Sequence, residues 1–299
     1  MKILITGSNG LLGQKLVKLI LDKGNDELIA TARGANRLPY SEDNYIYDKI
    51  DITNRDQVLT VIKSHQPDVV IHTAAMTNVD QSETEQDDCW KQNVDAVSYM
   101  IEACEAVDAF LLHLSTDFIF DGADGPYDEL AAANPISFYG ESKLAAEKLL
   151  LASNVKWAIA RTVLVYGIAH DMSRSNIVLW VKKSLEEGKQ IKVVDDQLRS
   201  PTLAEDLAMG CYLIADQRAE GVFNISGKDL MTPYEMAIAT AKFFNLSTAT
   251  MERADASTFT QTAKRPPKTG LLIDKAVKDL GYSPRSFVEG IDILVRQMS

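Results

Sequence analysis

Cysteine is scarce in this chain of 299 residues, and Cys89, Cys104 and Cys211 lie far apart. Without a C-x-x-C pair, the sequence has neither the usual zinc-ligand spacing nor a thioredoxin-type redox motif. A disulfide framework is not expected, and a reducing, cytoplasmic location fits better. The four histidines are scattered, and we expect the two in apolar strands, His72 and His113, to be buried structural groups. We therefore predict no metal site.

Long hydrophobic runs and an excess of basic charge are also absent. No stretch approaches the roughly 18 apolar residues of a membrane span, so we expect no contact with a membrane. Lys and Arg total 31 against 42 Asp and Glu, and the net charge of -11 argues against nucleic-acid binding. The remaining composition, 46% hydrophobic and 24% charged, is ordinary for a globular protein.

Short apolar runs alternate along the chain with segments of helical periodicity. The runs predict buried strands at residues 3–6, 28–32, 69–73, 110–115 and 158–163. The periodic segments predict helices at residues 11–23, 55–65, 86–107 and 137–152. This alternation predicts an α/β fold, a Rossmann-type doubly wound parallel sheet with right-handed crossovers.

After residue 167 the rhythm changes, which indicates a smaller C-terminal substrate-binding lobe. We predict an NAD(P)-binding Rossmann domain over residues 1–166, with about 198–226 returning to it. The smaller lobe would then comprise residues 167–197 and 227–299. Within it, Thr232-Pro233-Tyr234-Glu235 predicts a helix start, because Thr can cap, Pro suits the first helical position and Glu can reach back.

A G-x-x-G-x-x-G motif directly follows the first strand and opens a helix. Gly7 permits the tight turn, Gly10 allows close approach of a pyrophosphate, and Gly13 allows the helix to pack on the strand. The helix N-terminus presents amide hydrogens and a partial positive charge to the phosphates. The motif predicts a dinucleotide site, whose further contacts within the loop are Asn9, Leu11 and Leu12.

The end of the second strand carries Arg33, with Arg37 nearby, where an NAD site often has an acidic residue. An arginine there suits the 2′-phosphate of NADP, so NADPH is the favoured cofactor and NAD remains open. Asp51 and Ile52 follow a further predicted strand, the third along the chain, which lies between those at 28–32 and 69–73. They either edge the adenine, or Asp51 caps the next helix.

Tyr139 and Lys143 lie four residues apart in a predicted helix and therefore share one face. The lysine can lower the pKa of the phenol and bind a ribose hydroxyl. The tyrosine can donate a proton to a carbonyl as hydride arrives. Thr116, at the end of the fifth strand, can orient the same oxygen, because ligands sit beyond the carboxyl ends of such strands.

These motifs together resemble the extended short-chain dehydrogenase/reductase superfamily and, more closely, the dTDP-4-dehydrorhamnose reductase family. The resemblance covers nearly the whole chain. Its anchors are ITGSNGLLGQKL at 5–16, HTAAMTNVDQSE at 72–83, LSTDFIFDGADGPYDE at 114–129, NPISFYGESKLAAEK at 134–148, ARTVLVYG at 160–167, VVDDQLRSPTLAEDLA at 193–208 and KRPPKTGLL at 264–272.

The resemblance implies NAD(P)H-dependent reduction of a 4-keto group on a nucleotide-linked 6-deoxyhexose, bound between the two lobes. Tyr139 would be the proton donor, Lys143 its partner and Thr116 the residue that aligns the ketone. It implies further cofactor contacts at Ala74, Ala75 and Asn93. It implies substrate contacts at Thr77, Asp117, Phe118, Leu164, Arg199 and Arg265. The two arginines are candidates for the substrate pyrophosphate, with surface salt bridges as the alternative. A homodimer is a further expectation.

Three positions depart from the family pattern. Phe118 stands where the reductases usually have Tyr, Leu164 where Trp is common, and Arg199 where Gly is usual. These changes alter the sugar pocket, whereas the fold and the redox chemistry are little affected. Two other functions stay open. One is an NADP-binding regulatory subunit resembling the β subunit of methionine adenosyltransferase. The other is a nucleotide-sugar epimerase, which uses an arginine near the phosphates.

Overall fold

The computed structural model describes residues 1–171 and 176–298. Its strands are β1 (Lys2–Thr6), β2 (Glu27–Ala32), β3 (Ile46–Lys49), β4 (Val69–His72), β5 (Phe110–Thr116), β6 (Trp157–Thr162), β7 (Val165–Tyr166), β8 (Ile191–Val194), β9 (Thr202–Leu203), β10 (Gly221–Asn224) and β11 (Met251–Ala254). Its α-helices are α1 (Leu11–Lys23), α2 (Arg55–His65), α3 (Val79–Thr84), α4 (Gln86–Trp90), α5 (Ala96–Glu105), α6 (Phe138–Leu151), α7 (Ile177–Glu186), α8 (Ala204–Gln217), α9 (Pro233–Phe243), α10 (Asp274–Leu280) and α11 (Phe287–Met298).

The core of the described chain is a seven-stranded parallel sheet in the order β10-β6-β5-β4-β1-β2-β3. β1 pairs with β2 on one side and with β4 on the other, so the winding reverses at β1. A crevice forms beyond the carboxyl ends of the strands at such a reversal. The predicted doubly wound α/β fold is therefore confirmed.

Both faces of the sheet are covered, which explains why its strands are nearly continuous apolar runs. Alternate residues of β1 point to opposite faces. Ile3 and Ile5 join a core with residues of α1 and α8. Leu4 joins a second core with residues of α2, α5 and α6. The sheet is therefore packed between two helical layers, and the loops at its carboxyl edge extend beyond this core.

One predicted helix is divided in the structure. The segment predicted as a single helix at 86–107 comprises α4, a π-helical turn over Lys91–Asp95, and α5. A π-turn inside an α-helix often accompanies a functional site. Here the turn carries Asn93, which is buried.

The C-terminal part of the chain adds a smaller layer beside the sheet. β8 and β11 form a two-stranded parallel sheet, and α7 and α9 pack against it through apolar side chains. α9 begins as predicted: Thr232 Oγ1 accepts from the Glu235 amide at 3.1 Å, and the Glu235 carboxylate accepts from the Thr232 amide at 2.8 Å. β10 returns to the main sheet and pairs with β6. None of the helices in the described ranges combines the length and apolar character required to cross a membrane.

Candidate active site

A cleft of about 810 Å³ lies at the carboxyl edge of the sheet. The predicted cofactor residues that line it are Gly7, Asn9, Gly10, Leu11, Leu12, Gly13, Arg33, Asp51, Ile52, Ala74 and Ala75. The predicted catalytic and substrate residues that line it are Thr77, Thr116, Asp117, Phe118, Tyr139, Lys143 and Leu164. Asn93, Arg199 and Arg265 are not part of this lining. A single cavity thus joins the glycine loop to the Thr-Tyr-Lys group.

The glycine loop has the shape that a pyrophosphate cradle requires. Gly7 has a φ of +70°, in the left-handed region that favours glycine, and a Cβ there would lie 3.0 Å from the Ala74 amide nitrogen. A Cβ on Gly13 would overlap the Gly7 carbonyl oxygen and the Ser8 backbone. These two glycines therefore let α1 start directly against the end of β1, and Gly10, Leu11 and Leu12 at that start line the cleft. The residues present fit a dinucleotide pyrophosphate.

Asn9 builds the adjacent loop as well as lining the cleft. Its Nδ2 donates to the Ala35 carbonyl at 2.9 Å, and its Oδ1 accepts from the Arg37 amide at 3.0 Å. These bonds fix the turn after β2, which brings Arg33 and Arg37 to the cleft wall. Two guanidinium groups therefore stand at the end of β2, where a 2′-phosphate would lie.

Asp51 does not cap α2. Its Oδ1 accepts from the Thr53 amide at 3.0 Å and from the Thr53 hydroxyl at 2.7 Å. The cap of α2 is Asn54, whose side chain accepts from the Gln57 amide at 3.1 Å. The capping alternative is therefore wrong, and Asp51 remains at the cleft wall.

The first turns of α6 carry Tyr139 and Lys143, as the spacing predicts. Ser137 caps the helix by accepting from the Gly140 amide at 3.3 Å. A Cβ on Gly140 would overlap the Phe118 carbonyl oxygen, so this glycine lets the helix start sit directly against the end of β5. As a result the Tyr139 ring meets the Phe118 ring edge-on, with 5.8 Å between centroids.

Burial sets the ionisation of both side chains. It raises the pKa of Tyr139 well above its ordinary value, and the hydrogen bond with Thr116 opposes the rise while the charge of Asp117 adds to it. Burial lowers the pKa of Lys143 to about 8, against the opposing effect of Glu147. At neutral pH the phenol is therefore protonated and the amine is mostly an ammonium. The expected lowering of the phenol pKa by Lys143 is not among the influences on Tyr139.

Two neighbours of the Lys143 ammonium come from β5. Lys143 Nζ donates to the Leu114 carbonyl at 2.6 Å and lies 3.1 Å from His113 Nε2. Sequence reasoning treated His113 only as a buried structural group. Strand alternation could have found the contact, because His113 shares a face with Leu111, which packs with residues of α6.

Asp117 is buried beside Thr116 and bridges to the C-terminal part of the chain. Its Oδ1 accepts from Thr116 Oγ1 at 3.0 Å, and its Oδ2 accepts from Thr269 Oγ1. Burial raises the pKa of Asp117, and the positive charge of Arg199 opposes that rise. Thr269 was not predicted as a site residue, although it lies within the segment KRPPKTGLL that supports the resemblance. Its contact depends on a loop folding back from a distant part of the chain.

The two predicted pyrophosphate arginines bind protein groups instead of facing the cleft. Arg199 donates to the carbonyls of Leu198, Pro266 and Pro267 at 2.8, 2.6 and 3.0 Å, and it is buried. Arg265 forms a two-pronged ion pair with Asp80, at 2.8 and 2.5 Å. Arg265 therefore forms a salt bridge in this structure, which was the alternative to a pyrophosphate contact. Arg199 instead binds backbone carbonyls, including those of Pro266 and Pro267, and we call this contact the Arg199 clamp.

Asn93 supports the cleft from behind. It is 1% exposed, and its side chain accepts from the Met76 amide at 2.9 Å and donates to the Met76 carbonyl at 3.1 Å. It also donates to the Ser142 hydroxyl at 3.0 Å, one residue before Lys143. Asn93 therefore ties the loop after β4 to α6 and does not itself face the cofactor site.

Comparison with known proteins finds a matching family and relatives that are consistent with this cleft. The family model described as RmlD substrate binding domain matches residues 1–299. A dTDP-4-dehydrorhamnose reductase of Aggregatibacter actinomycetemcomitans is 32% identical, over 95% of this chain and 94% of the relative. The methionine adenosyltransferase 2 subunit beta of Bos taurus is 32% identical, over 82% of this chain and 72% of the relative.

Solved structures give the same picture. A dTDP-4-dehydrorhamnose reductase of Clostridium acetobutylicum has a TM-score of 0.87 and 29% identity, covering 100% of this chain and 99% of its own. The Bacillus anthracis reductase in complex with NADP has a TM-score of 0.84 and 27% identity, covering 99% of both chains. The predictions of the family and of a nicotinamide-dependent oxidoreductase are confirmed. The chain belongs to the RmlD substrate-binding-domain family of the extended short-chain dehydrogenase/reductase superfamily, and dTDP-4-dehydrorhamnose reductases are among its relatives.

Proposed function

We propose that this protein reduces the 4-keto group of a nucleotide-linked 6-deoxy sugar, with NADPH as the favoured cofactor. One observation carries the proposal: a single cleft has the glycine loop at one end and Thr116, Tyr139 and Lys143 at the other. A dinucleotide bound along the loop would supply hydride at that end. The similarity to dTDP-4-dehydrorhamnose reductases supports the choice of substrate class.

The side chains at the reactive end have complementary tasks. Tyr139 is protonated at neutral pH, because burial raises its pKa, and it would give its proton to the ketone oxygen. The Thr116 hydroxyl, which lines the same end of the cleft as Tyr139, would hold the same oxygen in line. Lys143, one helical turn away on the same helix face, would contribute its positive charge to the reactive end of the cleft. At the other end, Gly7, Gly10 and Gly13 would hold the pyrophosphate, with Arg33 and Arg37 at a 2′-phosphate.

The sugar would lie against an apolar wall formed by Phe118 and Leu164. Leu164 has a φ of 36°, in the left-handed region that a branched side chain rarely adopts. Its side chain is partly exposed and lines the cleft. Such strained residues cluster at functional sites. Phe118 and Leu164 provide no hydrogen bond to the sugar, so its orientation would depend on polar neighbours such as Thr77 and Thr116.

Replacing Tyr139 with Phe tests the catalytic assignment. The variant keeps the ring that packs against Phe118 and loses only the hydroxyl. We expect turnover with a 4-keto sugar nucleotide to fall by about 100-fold or more, because general-acid catalysis contributes about that much. NADPH affinity, measured by fluorescence titration, should change little. Full activity in this variant would contradict the proposal.

A regulatory role is the second candidate. It is favoured by the similarity to methionine adenosyltransferase 2 subunit beta and by the apolar residues at positions 118 and 164. A protein with this role would bind NADPH, form a stable complex with a methionine adenosyltransferase catalytic subunit, and turn over no keto sugar. Size-exclusion chromatography of the mixed purified proteins separates this outcome from the first. A nucleotide-sugar epimerase would instead isomerise its substrate without net consumption of cofactor.

A further inference from the structure

His113 and His72 form a buried pair behind the reactive end of the cleft. They are register partners on neighbouring strands β5 and β4, and their rings stack with 5.6 Å between centroids. Both are 1% exposed. His72 Nδ1 lies 2.8 Å from Thr6 Oγ1, whereas His113 Nε2 lies 3.1 Å from Lys143 Nζ. Of the two, only His113 touches the catalytic group.

The protonation state of His113 follows from its partner. An ammonium has three donors and no acceptor, so His113 Nε2 must accept and the ring proton must reside on Nδ1. Burial and the charges of Lys143 and His72 hold the pKa of His113 well below its ordinary value. The ring therefore remains a neutral acceptor at working pH. Together with the Leu114 carbonyl, it takes two of the three ammonium donors.

We propose that His113 is a positioning residue for Lys143, which fixes the ammonium at the carboxyl end of β5 and leaves one N–H for the cleft. The side chain of Lys143 would otherwise choose among several rotamers, each placing the charge differently. The Leu114 carbonyl alone defines one direction, and two acceptors define the position of the nitrogen. The significance of this placement for catalysis rests on the proposed function, whereas the contact itself does not.

Other groups face the same ammonium and have to be considered in any test. Glu147 belongs to its own helix, and Cys89 approaches from α4. Glu147 is engaged by Arg161, with Nη2 to Oε2 at 2.8 Å, so its charge is largely offset. Behind His113 stands His72. A replacement of His113 leaves all of these in place, so a change in the titration of Lys143 can be assigned to the lost acceptor.

The test is a double-mutant cycle on folding stability between pH 7 and 10.5, with His113→Leu, His113→Gln and Lys143→Met. The pKa of Lys143 is about 8 in the folded protein, below its ordinary value of 10.5. Between these values the unfolded chain binds more protons, so this group makes stability rise with pH. The onset of that rise, from urea unfolding at each pH, reports the pKa of Lys143.

Removing the acceptor in His113→Leu should lower the pKa of Lys143 by about one to two units, since a hydrogen bond to a charged group has that strength. The rise in stability should therefore already be under way at pH 7 in this variant, whereas in the wild type it begins near pH 8. Glutamine can still accept, so His113→Gln should keep the onset close to that of the wild type. In the Lys143→Met background, the effect of His113→Leu should not vary with pH. If His113→Leu does not fold, His113→Met gives the same comparison.

An unshifted onset in His113→Leu, or the same pH-dependent effect without Lys143, would overturn the proposal and leave His113 as a space-filling residue. The turnover of the same variants is measured separately. An onset that does not shift in His113→Leu would contradict only the positioning role of His113. Absence of turnover in the wild type concerns the proposed function alone. The two failures are therefore distinguishable.

Discussion

Individual residues in the cleft owe their properties to burial more than to neighbouring charges. Tyr139 is kept protonated and Lys143 is brought to a pKa of about 8, in each case chiefly by desolvation. The effect is opposite in sign for the two groups, because burial disfavours the charged form of each. Together they leave a neutral phenol one helical turn from a cation that can be titrated close to physiological pH.

This titration predicts how activity depends on pH. Lys143 is an ammonium below about pH 8 and becomes neutral above it. If the ammonium is the active form, kcat/KM falls as pH rises through that value, because kcat/KM reports ionisations of the free enzyme. Steady-state reduction of the keto sugar between pH 6 and 10 checks this expectation. A profile that stays flat to pH 10 would contradict it.

Arg33 should determine the preference between cofactors. It stands on the cleft wall at the end of β2, and its guanidinium would meet only the 2′-phosphate of NADPH. We expect Arg33→Ser to weaken NADPH binding by about 10-fold or more, since a charge-assisted hydrogen bond is lost. NADH binding should be nearly unchanged. Arg218→Ser, at an exposed arginine paired with Asp68, is the matched control. Equal losses for both cofactors would contradict the assignment.

The sequence identified residues whose roles follow from local spacing and missed those that depend on distant contacts. Tyr139 and Lys143 lie on one helix, so their spacing alone predicts a shared face. His113 and Thr269 become site residues only because β5 and a C-terminal loop pack against that helix and its neighbours. The same limit explains Arg265, whose partner Asp80 is 185 residues away.

At the scale of elements, the bounds of some helices could be predicted from the sequence, whereas an interruption inside a helix could not. The bounds of α1 and α2 agree with the sequence pattern, because each ends with a residue in the left-handed conformation, Gly24 and Gln66. The division of the helix predicted at 86–107 was not visible. The side chain at its π-turn, Asn93, bonds to Met76 and Ser142, which are remote in sequence. Tertiary contacts of this kind leave no periodic signal.

The packing of α1 on the glycine loop predicts a strong effect of one methyl group. In Gly13→Ala the new Cβ would overlap the Gly7 carbonyl and force the helix away from the strand. We expect the free energy of unfolding to fall by about 1–3 kcal/mol, as in other overpacked sites, with weaker NADPH binding. Gly34→Ala is the control for stability, because a Cβ there meets nothing within 4 Å. Urea unfolding of both variants measures this difference. Equal free energies of unfolding for the two variants would contradict the overlap at Gly13.

At the scale of the whole molecule, helix α3 is joined to the C-terminal loop that carries Ala263 and Arg265. Asp80 on α3 binds Arg265 and also accepts from the Ala263 amide at 2.9 Å. These bonds hold the pKa of Asp80 down to about 2. A depressed carboxyl pKa means that the contribution to stability is present above the unfolded value of about 4 and is lost as pH falls towards 2. The pair is partly exposed, so its effect on global stability is small.

The main consequence of this ion pair should be local. In Asp80→Asn, which loses the charge and one oxygen, we expect faster amide hydrogen exchange in residues 259–268 at neutral pH, with little change in the sheet. Asp108→Asn, at an exposed pair with Lys156, serves as the control. Unchanged exchange in that loop would show that other contacts, such as the Arg199 clamp, hold it.

The doubly wound parallel sheet was predictable because apolar runs and helical segments alternate over the first 166 residues, and the family was predictable from sequence motifs spread over the chain. The order of the strands in the sheet comes from the structure. The identity of the sugar was harder to predict from the sequence. Its pocket combines Phe118 and Leu164 with loops whose placement only the folded chain defines. The division into a Rossmann domain and a smaller lobe remains a prediction, as does a homodimer.

The most direct test of the account is NADPH oxidation with dTDP-4-dehydro-6-deoxy-L-mannose generated in situ, with the product identified by NMR. We predict stoichiometric consumption of NADPH, formation of dTDP-rhamnose, and loss of both in Tyr139→Phe while NADPH still binds. NADPH that binds the wild-type protein but is not consumed would contradict the proposed reduction of this sugar.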